Sequence, residues 1–138
     1  MIFGVGTDIL ELNRMRSGIL QENDPFVRRI FTEKERKEAA AREDPRLYFA
    51  GRFAAKEAVY KSLHLSPELV DLSEIEVLTE SSGGPRVILH DRLRKYKNQQ
   101  GIRKVHVSIS HEEETVLAFA VSETRDSDHS RAAETPET

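Results

Sequence analysis

The sequence has 138 residues, a formal net charge of −3 and no cysteine. A chain of this length holds one compact domain, and its 33% charged and 38% hydrophobic residues are ordinary for a globular protein. The charge argues against general nucleic-acid binding, and the lack of cysteine excludes disulfides, zinc-thiolate sites and thiol nucleophiles. Without a secretory leader or an apolar run of about 20 residues, the chain is expected to be cytoplasmic, without membrane contact.

The N-terminal third is predicted to combine one strand with several short helices. Residues 2–6 are a short strand whose glycines permit close approach of another backbone. Residues 10–20 have the pattern of a weakly amphipathic helix. Asp24-Pro25 marks another helix start, and Thr32 with Glu35 has the spacing of a capping box.

The longest helix is predicted over residues 46–63, directly after the start signal Asp44-Pro45. Four side chains recur at four-residue intervals along it: Phe49, Phe53, Glu57 and Lys61. Residues with this spacing share one face of a helix, so the pattern places a glutamate on or beside an apolar stripe.

The second half of the chain changes to the alternating pattern of strands. Two short strands are predicted on either side of the turn at residues 81–85, followed by a short helix over residues 91–97. Residues 105–110 and 117–121 alternate apolar with polar side chains across the acidic connection at residues 111–114, as in a hairpin with one apolar face.

This order of elements predicts an α+β fold with helices packed on a small antiparallel sheet. Residues 1–122 form the expected domain. Residues 123–138 contain almost no large apolar side chain and are expected to be a disordered C-terminal tail.

Two carboxylates are candidate metal ligands, although each also has an ordinary structural interpretation. Asp8, expected just past the end of the first strand, fits either a helix N-cap or a ligand for magnesium, which usually takes one or two carboxylates and completes its shell with water and phosphate. Glu57 with Lys61 fits either a solvated helix pair or a carboxylate directed inward, where a divalent cation would offset the burial of its charge.

Further polar residues are candidates for phosphate binding. Arg52 and Lys56 lie on another side of the long helix, and His106, Ser108 and Ser110 lie on the polar face of a strand. These side chains form either an ordinary solvent-exposed surface or a set of hydrogen-bond donors for phosphate groups. The sequence contains no P-loop, dinucleotide-binding fingerprint, serine nucleophile elbow or zinc-ligand spacing.

Four segments carry recognisable motifs: residues 4–14 (GVGTDILELNR), 31–35 (FTEKE), 50–61 (AGRFAAKEAVYK) and 105–111 (VHVSISH). In order and spacing they resemble the motifs of holo-acyl-carrier-protein synthases of the 4'-phosphopantetheinyl transferase superfamily. The resemblance runs from Met1 to about Ser122. It implies the fold of that family and transfer of 4'-phosphopantetheine from coenzyme A to a carrier-protein serine, in support of fatty acid biosynthesis.

The resemblance also implies roles for particular residues. Asp8 and Glu57 would bind Mg2+ and serve catalysis together with Lys61, which would contact phosphate. Arg52 and His106, with Ser108 beside them, would contact the nucleotide end of coenzyme A. Gly83-Gly84-Pro85 stands where the family usually has glycine, lysine and proline, so one cation is missing there.

Three further expectations concern proton transfer, assembly and docking. The proton of the carrier serine would go to Glu57 or to a metal-bound water, with Glu35 a weaker candidate. Short members of the family resemble homotrimers with sites between subunits. An acidic carrier protein or carrier domain would be steered by a basic patch that contains Arg14, Arg28 and their neighbours Arg16 and Arg29.

Two rival functions remain open at this level. A non-catalytic coenzyme A or nucleotide binding module would keep the fold without the chemistry. A metal-dependent phosphohydrolase would use the same two carboxylates on water.

Overall fold

The computed structural model describes residues 1–14 and 24–125. Its strands are β1 (Ile2–Glu11), β2 (Ile75–Thr79), β3 (Pro85–Leu89), β4 (Ile102–Glu112) and β5 (Thr115–Thr124). Its helices are α1 (Pro25–Ile30), α2 (Glu33–Ala40), α3 (Pro45–Ser62) and α4 (Asp91–Gln99), with 3-10 turns at Leu12–Arg14, Pro67–Leu69 and Leu72–Glu74. The predicted α+β class is confirmed.

The strands form two antiparallel sheets. One has the order β1-β5-β4, and the other is the β2-β3 hairpin. Helix α3 packs across the three-stranded sheet and also contacts β2. The buried core lies between α3 and the sheets and includes Phe49, Val59, Leu63 and Val116.

Strand β1 is longer than predicted, because its pairing with β5 continues from Ile2 to Glu11. Asp8 therefore lies inside the strand, opposite Ala118, and not beyond its end. A Cβ at Gly6 would overlap the carbonyl oxygen of Ala58. Glycine at this position lets β1 lie directly against the backbone of α3, which sets the position of Asp8 relative to that helix.

The expected helix over residues 10–20 is wrong at its start, since Leu10 and Glu11 belong to β1 and a 3-10 turn follows at Leu12–Arg14. Ladder hydrogen bonds with β5 outweigh the weak amphipathic pattern there. Residues 15–20 of that prediction lie outside the described residues.

The predicted helix starts are confirmed. Asp24 caps α1, and Thr32 with Glu35 forms a reciprocal capping box on α2. Asp44 caps α3, whose range is one residue earlier at each end than expected.

The C-terminal hairpin also extends beyond the predicted domain end at residue 122. Glu123 and Thr124 belong to β5, and the Thr124 N–H donates to the Met1 carbonyl at 2.7 Å. Residues 126–138, most of the predicted tail, lie outside the described residues. Among the helices in the described part of the chain, none combines the length and apolar character that crossing a membrane requires.

Candidate active site

The C-terminal half of α3 and strand β1 bring three of the predicted residues together. Lys61 Nζ lies 3.3 Å from Asp8 Oδ1 and donates to the Thr7 carbonyl at 2.9 Å. Glu57 lies one turn before Lys61 on the same helix and is near enough to Asp8 for the two charges to interact. The sequence placed Glu57 and Lys61 on one helix face, but only the packing of β1 against α3 adds Asp8.

Glu57 has an unusual environment for a carboxylate. Burial raises its pKa, the charge of Asp8 raises it further, and Lys61 partly opposes both effects. Among the described residues, no side chain or backbone group donates a hydrogen bond to Glu57. Its oxygens therefore keep their full capacity for an outside ligand.

This donor set suits a magnesium ion. Two carboxylates lie on rigid elements beside a lysine, and the described residues contain no group of three or more His, Asp or Glu side chains able to enclose a metal. Magnesium is usually held by one or two carboxylates and completes its shell with water and substrate phosphate. A divalent cation here would also remove the repulsion between Asp8 and Glu57.

A separate cleft of about 410 Å³ lies at the N-terminal half of α3. It runs between that helix, the β2-β3 turn and the end of the β4-β5 hairpin. Residues from all of these parts line it, among them Arg42, Tyr48, Gly51, Arg52, Thr79, Gly83, Pro85, Ile109 and His111. The structure thus brings together Arg52, Gly83 and Pro85, the residues for which the family resemblance implies contact with the nucleotide.

Arg52 is held firmly in this cleft. Its Nε donates to the Val77 carbonyl at 3.0 Å and its Nη2 to Thr79 Oγ1 at 2.8 Å, while Glu38 lies 3.5 Å from Nη2. The guanidinium also lies over the Tyr48 ring at 4.6 Å. These contacts fix its orientation, so Arg52 presents a pre-positioned positive charge to the cleft.

Gly84 forms the β2-β3 turn together with Gly83, whose φ is +101°. A Cβ built at Gly84 meets no atom within 4 Å. The turn therefore has room for a longer side chain at the position where the family motif carries lysine.

His106 and Ser108 point away from both of these sites. In the sheet register His106 lies opposite Val121 and Ser108 opposite Phe119, whereas Asp8 lies opposite the buried Ala118. Directly opposed residues share a face of the sheet. His106 and Ser108 are thus on the outer face, while Asp8 is on the face that α3 covers, so one chain does not bring all predicted site residues into one pocket.

Comparisons with known proteins identify the family. The family model described as the 4'-phosphopantetheinyl transferase superfamily matches residues 4–120. The holo-[acyl-carrier-protein] synthase of Clostridium kluyveri is 40% identical over 123 residues, which cover 89% of this chain and 91% of that protein. This chain belongs to the holo-acyl-carrier-protein synthase family.

Solved structures of the family have the same fold. The crystal structure of the synthase from Neisseria meningitidis is 36% identical, covers 90% of this chain and 100% of that one, and superposes with a TM-score of 0.80. The synthase from Bacillus anthracis, solved in complex with CoA (3',5'-ADP), is 37% identical with a TM-score of 0.72 and covers 91% and 99% of the two chains.

Two other residues considered from the sequence have a structural role in this family member. Lys56 is fully buried, with Nζ 3.0 Å from Glu35 Oε1, and it donates to the carbonyls of Leu72, at 3.1 Å, and of Ile75. Glu35 is fully buried as well and accepts a hydrogen bond from the Val77 N–H at 2.7 Å. Lys56 is therefore not available to phosphates, and Glu35 is closed off from a carrier serine.

The predicted docking arginines are only partly described. Arg28 and Arg29 are exposed on α1, and Arg29 lies 6.0 Å from the centre of the Phe26 ring. Arg14 ends the first 3-10 turn, but its side chain lies outside the described residues, as does all of Arg16.

Sequence reasoning missed several cleft residues. Tyr48, Thr79 and Arg42 enter the cleft from three different elements, and Arg42 Nη2 donates to Thr79 Oγ1 at 2.9 Å. Tyr48 belongs to the same helix as Arg52, one turn earlier, so helical spacing was a usable signal for it. Thr79 carried no such signal, because only the packing of β2 against α3 places it there.

Proposed function

We propose that the protein transfers the 4'-phosphopantetheine arm of coenzyme A to a serine of an apo acyl carrier protein or carrier domain, in support of fatty acid biosynthesis. The products are the holo carrier protein and 3',5'-ADP. The observation that carries this proposal is the meeting of Asp8, Glu57 and Lys61 at the crossing of β1 and α3, in a chain that belongs to the synthase family.

Asp8 and Glu57 are proposed to hold Mg2+ with the coenzyme A pyrophosphate. When bound, the ion supplies charge stabilisation for the leaving 3',5'-ADP. Support comes from the two neighbouring carboxylates and from the free hydrogen-bonding capacity of Glu57.

The protein's own residues orient the substrate and move the proton. The carrier serine oxygen attacks the phosphorus next to the pantetheine arm, the bond from that phosphorus to the bridging oxygen of 3',5'-ADP breaks, and the serine proton passes to Glu57. Lys61, held by Thr7 and Asp8, contacts the phosphate oxygens.

The nucleotide end of coenzyme A is proposed to occupy the cleft beside Arg52, against the turn at Gly83, Gly84 and Pro85. His106 and Ser108 would contact the nucleotide from another copy of the chain, since they lie on the opposite face of the sheet from Asp8.

A homotrimer is proposed on the same grounds. The outer face of the β1-β5-β4 sheet exposes a row of large apolar side chains: Val5 (51% exposed), Ile9 (66%), Leu117 (45%) and Phe119 (44%). Contiguous apolar surface of this kind is typical of an interface. Packing this face against other copies would cover it and bring His106 of one copy toward the site of the next.

The carrier protein is proposed to dock on the basic surface that contains Arg28 and Arg14. We expect Arg28→Glu to raise the Michaelis constant for the carrier severalfold and to leave that for coenzyme A nearly fixed, because rim charges act mainly on encounter. The effect should shrink with added salt, which screens exposed charges. Steady-state kinetics at two salt concentrations measure this, with Lys95→Glu on α4 as a matched reversal elsewhere; a selective loss of coenzyme A affinity would contradict it.

One assay separates the proposed reaction from its rivals. The protein is incubated with coenzyme A and Mg2+, with and without apo carrier protein, and 3',5'-ADP and the carrier mass are followed. Transfer requires the carrier and adds the pantetheine arm to it. Release of 3',5'-ADP without carrier would indicate a phosphohydrolase, and binding of coenzyme A without turnover would indicate a binding module.

A further inference from the structure

A cluster of three charged or ionisable side chains lies on the outer face of the sheet, near the start of β4. Glu123 Oε1 accepts hydrogen bonds from His106 Nε2 at 2.9 Å and from Arg103 Nη2 at 2.6 Å. Arg103 and His106 come from β4, and Glu123 comes from β5, where it lies opposite Lys104 in the register. One carboxylate oxygen thus holds two donors.

This contact was not predicted from the sequence, because Glu123 was assigned to the disordered tail. Pairing of β5 with β4 up to its last residues brings the glutamate beside the histidine. The hydrogen bond from His106 is the largest influence on Glu123 and lowers its pKa, and Arg103 lowers it further. Glu123 is therefore an acceptor without a proton of its own, so His106 must supply the hydrogen from Nε2.

This contact decides which atom of His106 remains for a ligand. With Nε2 engaged by Glu123, Nδ1 is the ring nitrogen left to face a bound molecule. A carboxylate on the far nitrogen of a functional histidine fixes both the tautomer and the ring orientation. We propose that Glu123 is a positioning residue for coenzyme A binding, which holds the His106 ring through Nε2 and presents Nδ1 to the nucleotide. This inference rests on the proposed role of His106 in binding coenzyme A.

Arg103 has a complementary part in the cluster. A lone carboxylate beside a phosphate-bearing ligand would repel it. Because Arg103 pairs with the same oxygen of Glu123, it offsets that charge and limits rotation of the carboxylate away from His106. The pair thus lets a glutamate act at a site for an anionic ligand.

The first test is kinetic. Glu123→Ala should raise the Michaelis constant for coenzyme A about two- to fivefold, the range for exposed charged hydrogen bonds, and leave kcat within about twofold. Glu123→Gln keeps an oxygen that accepts from Nε2–H and should stay close to the wild type. Glu112→Ala, on the neighbouring strand β4 but outside the cluster, is the matched control. If Glu123→Ala lowers kcat by the same factor as it raises the Michaelis constant for coenzyme A, the positioning role is wrong. A change in the mass of the assembled protein in Glu123→Ala but not in Glu112→Ala would also overturn it.

His106→Ala separates this inference from the function on which it rests. If His106→Ala leaves the Michaelis constant for coenzyme A unchanged, the proposed contact of His106 with the nucleotide fails. If His106→Ala raises it and Glu123→Ala does not, only the role of Glu123 fails. Where both residues act as one unit, the double variant should be no worse than His106→Ala.

A second readout does not depend on activity. Nitrogen-15 NMR of the histidine rings, recorded on the full chain at a pH where the imidazole is neutral, reports which nitrogen carries the proton. Wild type and Glu123→Gln should show His106 with its proton on Nε2, and Glu123→Ala should show a mixture of both tautomers. Identical His106 spectra in wild type and Glu123→Ala would overturn the inference.

Discussion

Two adjacent residues of helix α3, Lys56 and Glu57, belong to two different charged clusters. Lys56 pairs with Glu35 of α2, whereas Glu57 lies beside Lys61 of its own helix and Asp8 of β1. Lys56 and Glu35 are both fully buried and meet partners on α2 and β2 and in the preceding 3-10 turn. Glu57 and Lys61 face β1, where Asp8 joins them at the edge of the solvent. In the first cluster every charge is satisfied by the protein itself, while in the second the two carboxylates keep unused acceptor capacity.

This difference shows that burial alone does not identify a functional site. Burial lowers the pKa of Lys56, opposed by the charge of Glu35, yet its ammonium has three protein acceptors and no room for a substrate. Glu57 is less buried, but Lys61 compensates the repulsion from Asp8 only in part. A site that stores unsatisfied charge is one that gains from binding a cation.

The largest expected effect is on stability. Lys56→Met should lower the free energy of unfolding by about 3–5 kcal/mol, because it leaves the Glu35 carboxylate buried without its cation. Urea denaturation measures this loss. The double variant Lys56→Met with Glu35→Leu removes both charges and should recover part of the stability. If Lys56→Met alone is as stable as the wild type, the pair does not stabilise the packing of α2 against α3.

On the other side of the comparison, the expected loss is in catalysis. Asp8→Ala or Glu57→Ala should lower kcat by about 10²–10³-fold, the usual effect of removing one electrostatic contact to the transition state. The melting temperature should not fall, since neither side chain supports the core. Thermal melts and the transfer assay are to be read together, and near-normal magnesium-dependent turnover in either variant would refute the metal assignment.

A smaller effect concerns pH in the absence of metal. Because folding raises the pKa of Glu57, the native state holds its proton more strongly, and stability falls as pH rises from the ordinary glutamate range through the raised pKa. Above that window Glu57→Gln should melt roughly 1–2 °C higher than wild type, and below it the two should coincide. Mg2+ should raise the melting temperature of wild type more than that of Glu57→Gln. A variant that melts lower at neutral pH would show that the carboxylate is stabilising.

The smallest effect tests whether the cleft beside Arg52, the proposed nucleotide site, lacks a further cation. Gly84→Lys places an ammonium where the turn is open and should lower the Michaelis constant for coenzyme A about two- to threefold at low salt. Gly84→Gln, of similar length without the charge, is the control. An equal change in both variants would assign the effect to the backbone of the turn.

The sequence by itself determined the local elements and the family. Caps at Asp24, Thr32 and Asp44, the four-residue spacing of Glu57 and Lys61, and the alternation in the last hairpin are all short-range patterns, and the structure confirms them. The motifs were sufficient for the family because they lie in the segments that form β1, α3 and β4.

Only the tertiary structure decided how these segments meet. The contacts that define the sites join residues at least 17 positions apart: Asp8 with Lys61, Lys56 with Glu35, and Glu123 with His106. The length of β1 likewise depends on its pairing with the distant strand β5. Sheet register and close packing at Gly6 set these contacts, and neither follows from the pattern of one segment. Two neighbouring charges on one helix could therefore be predicted from sequence, but which of them is enclosed and which remains free to bind was fixed by the elements that pack around them.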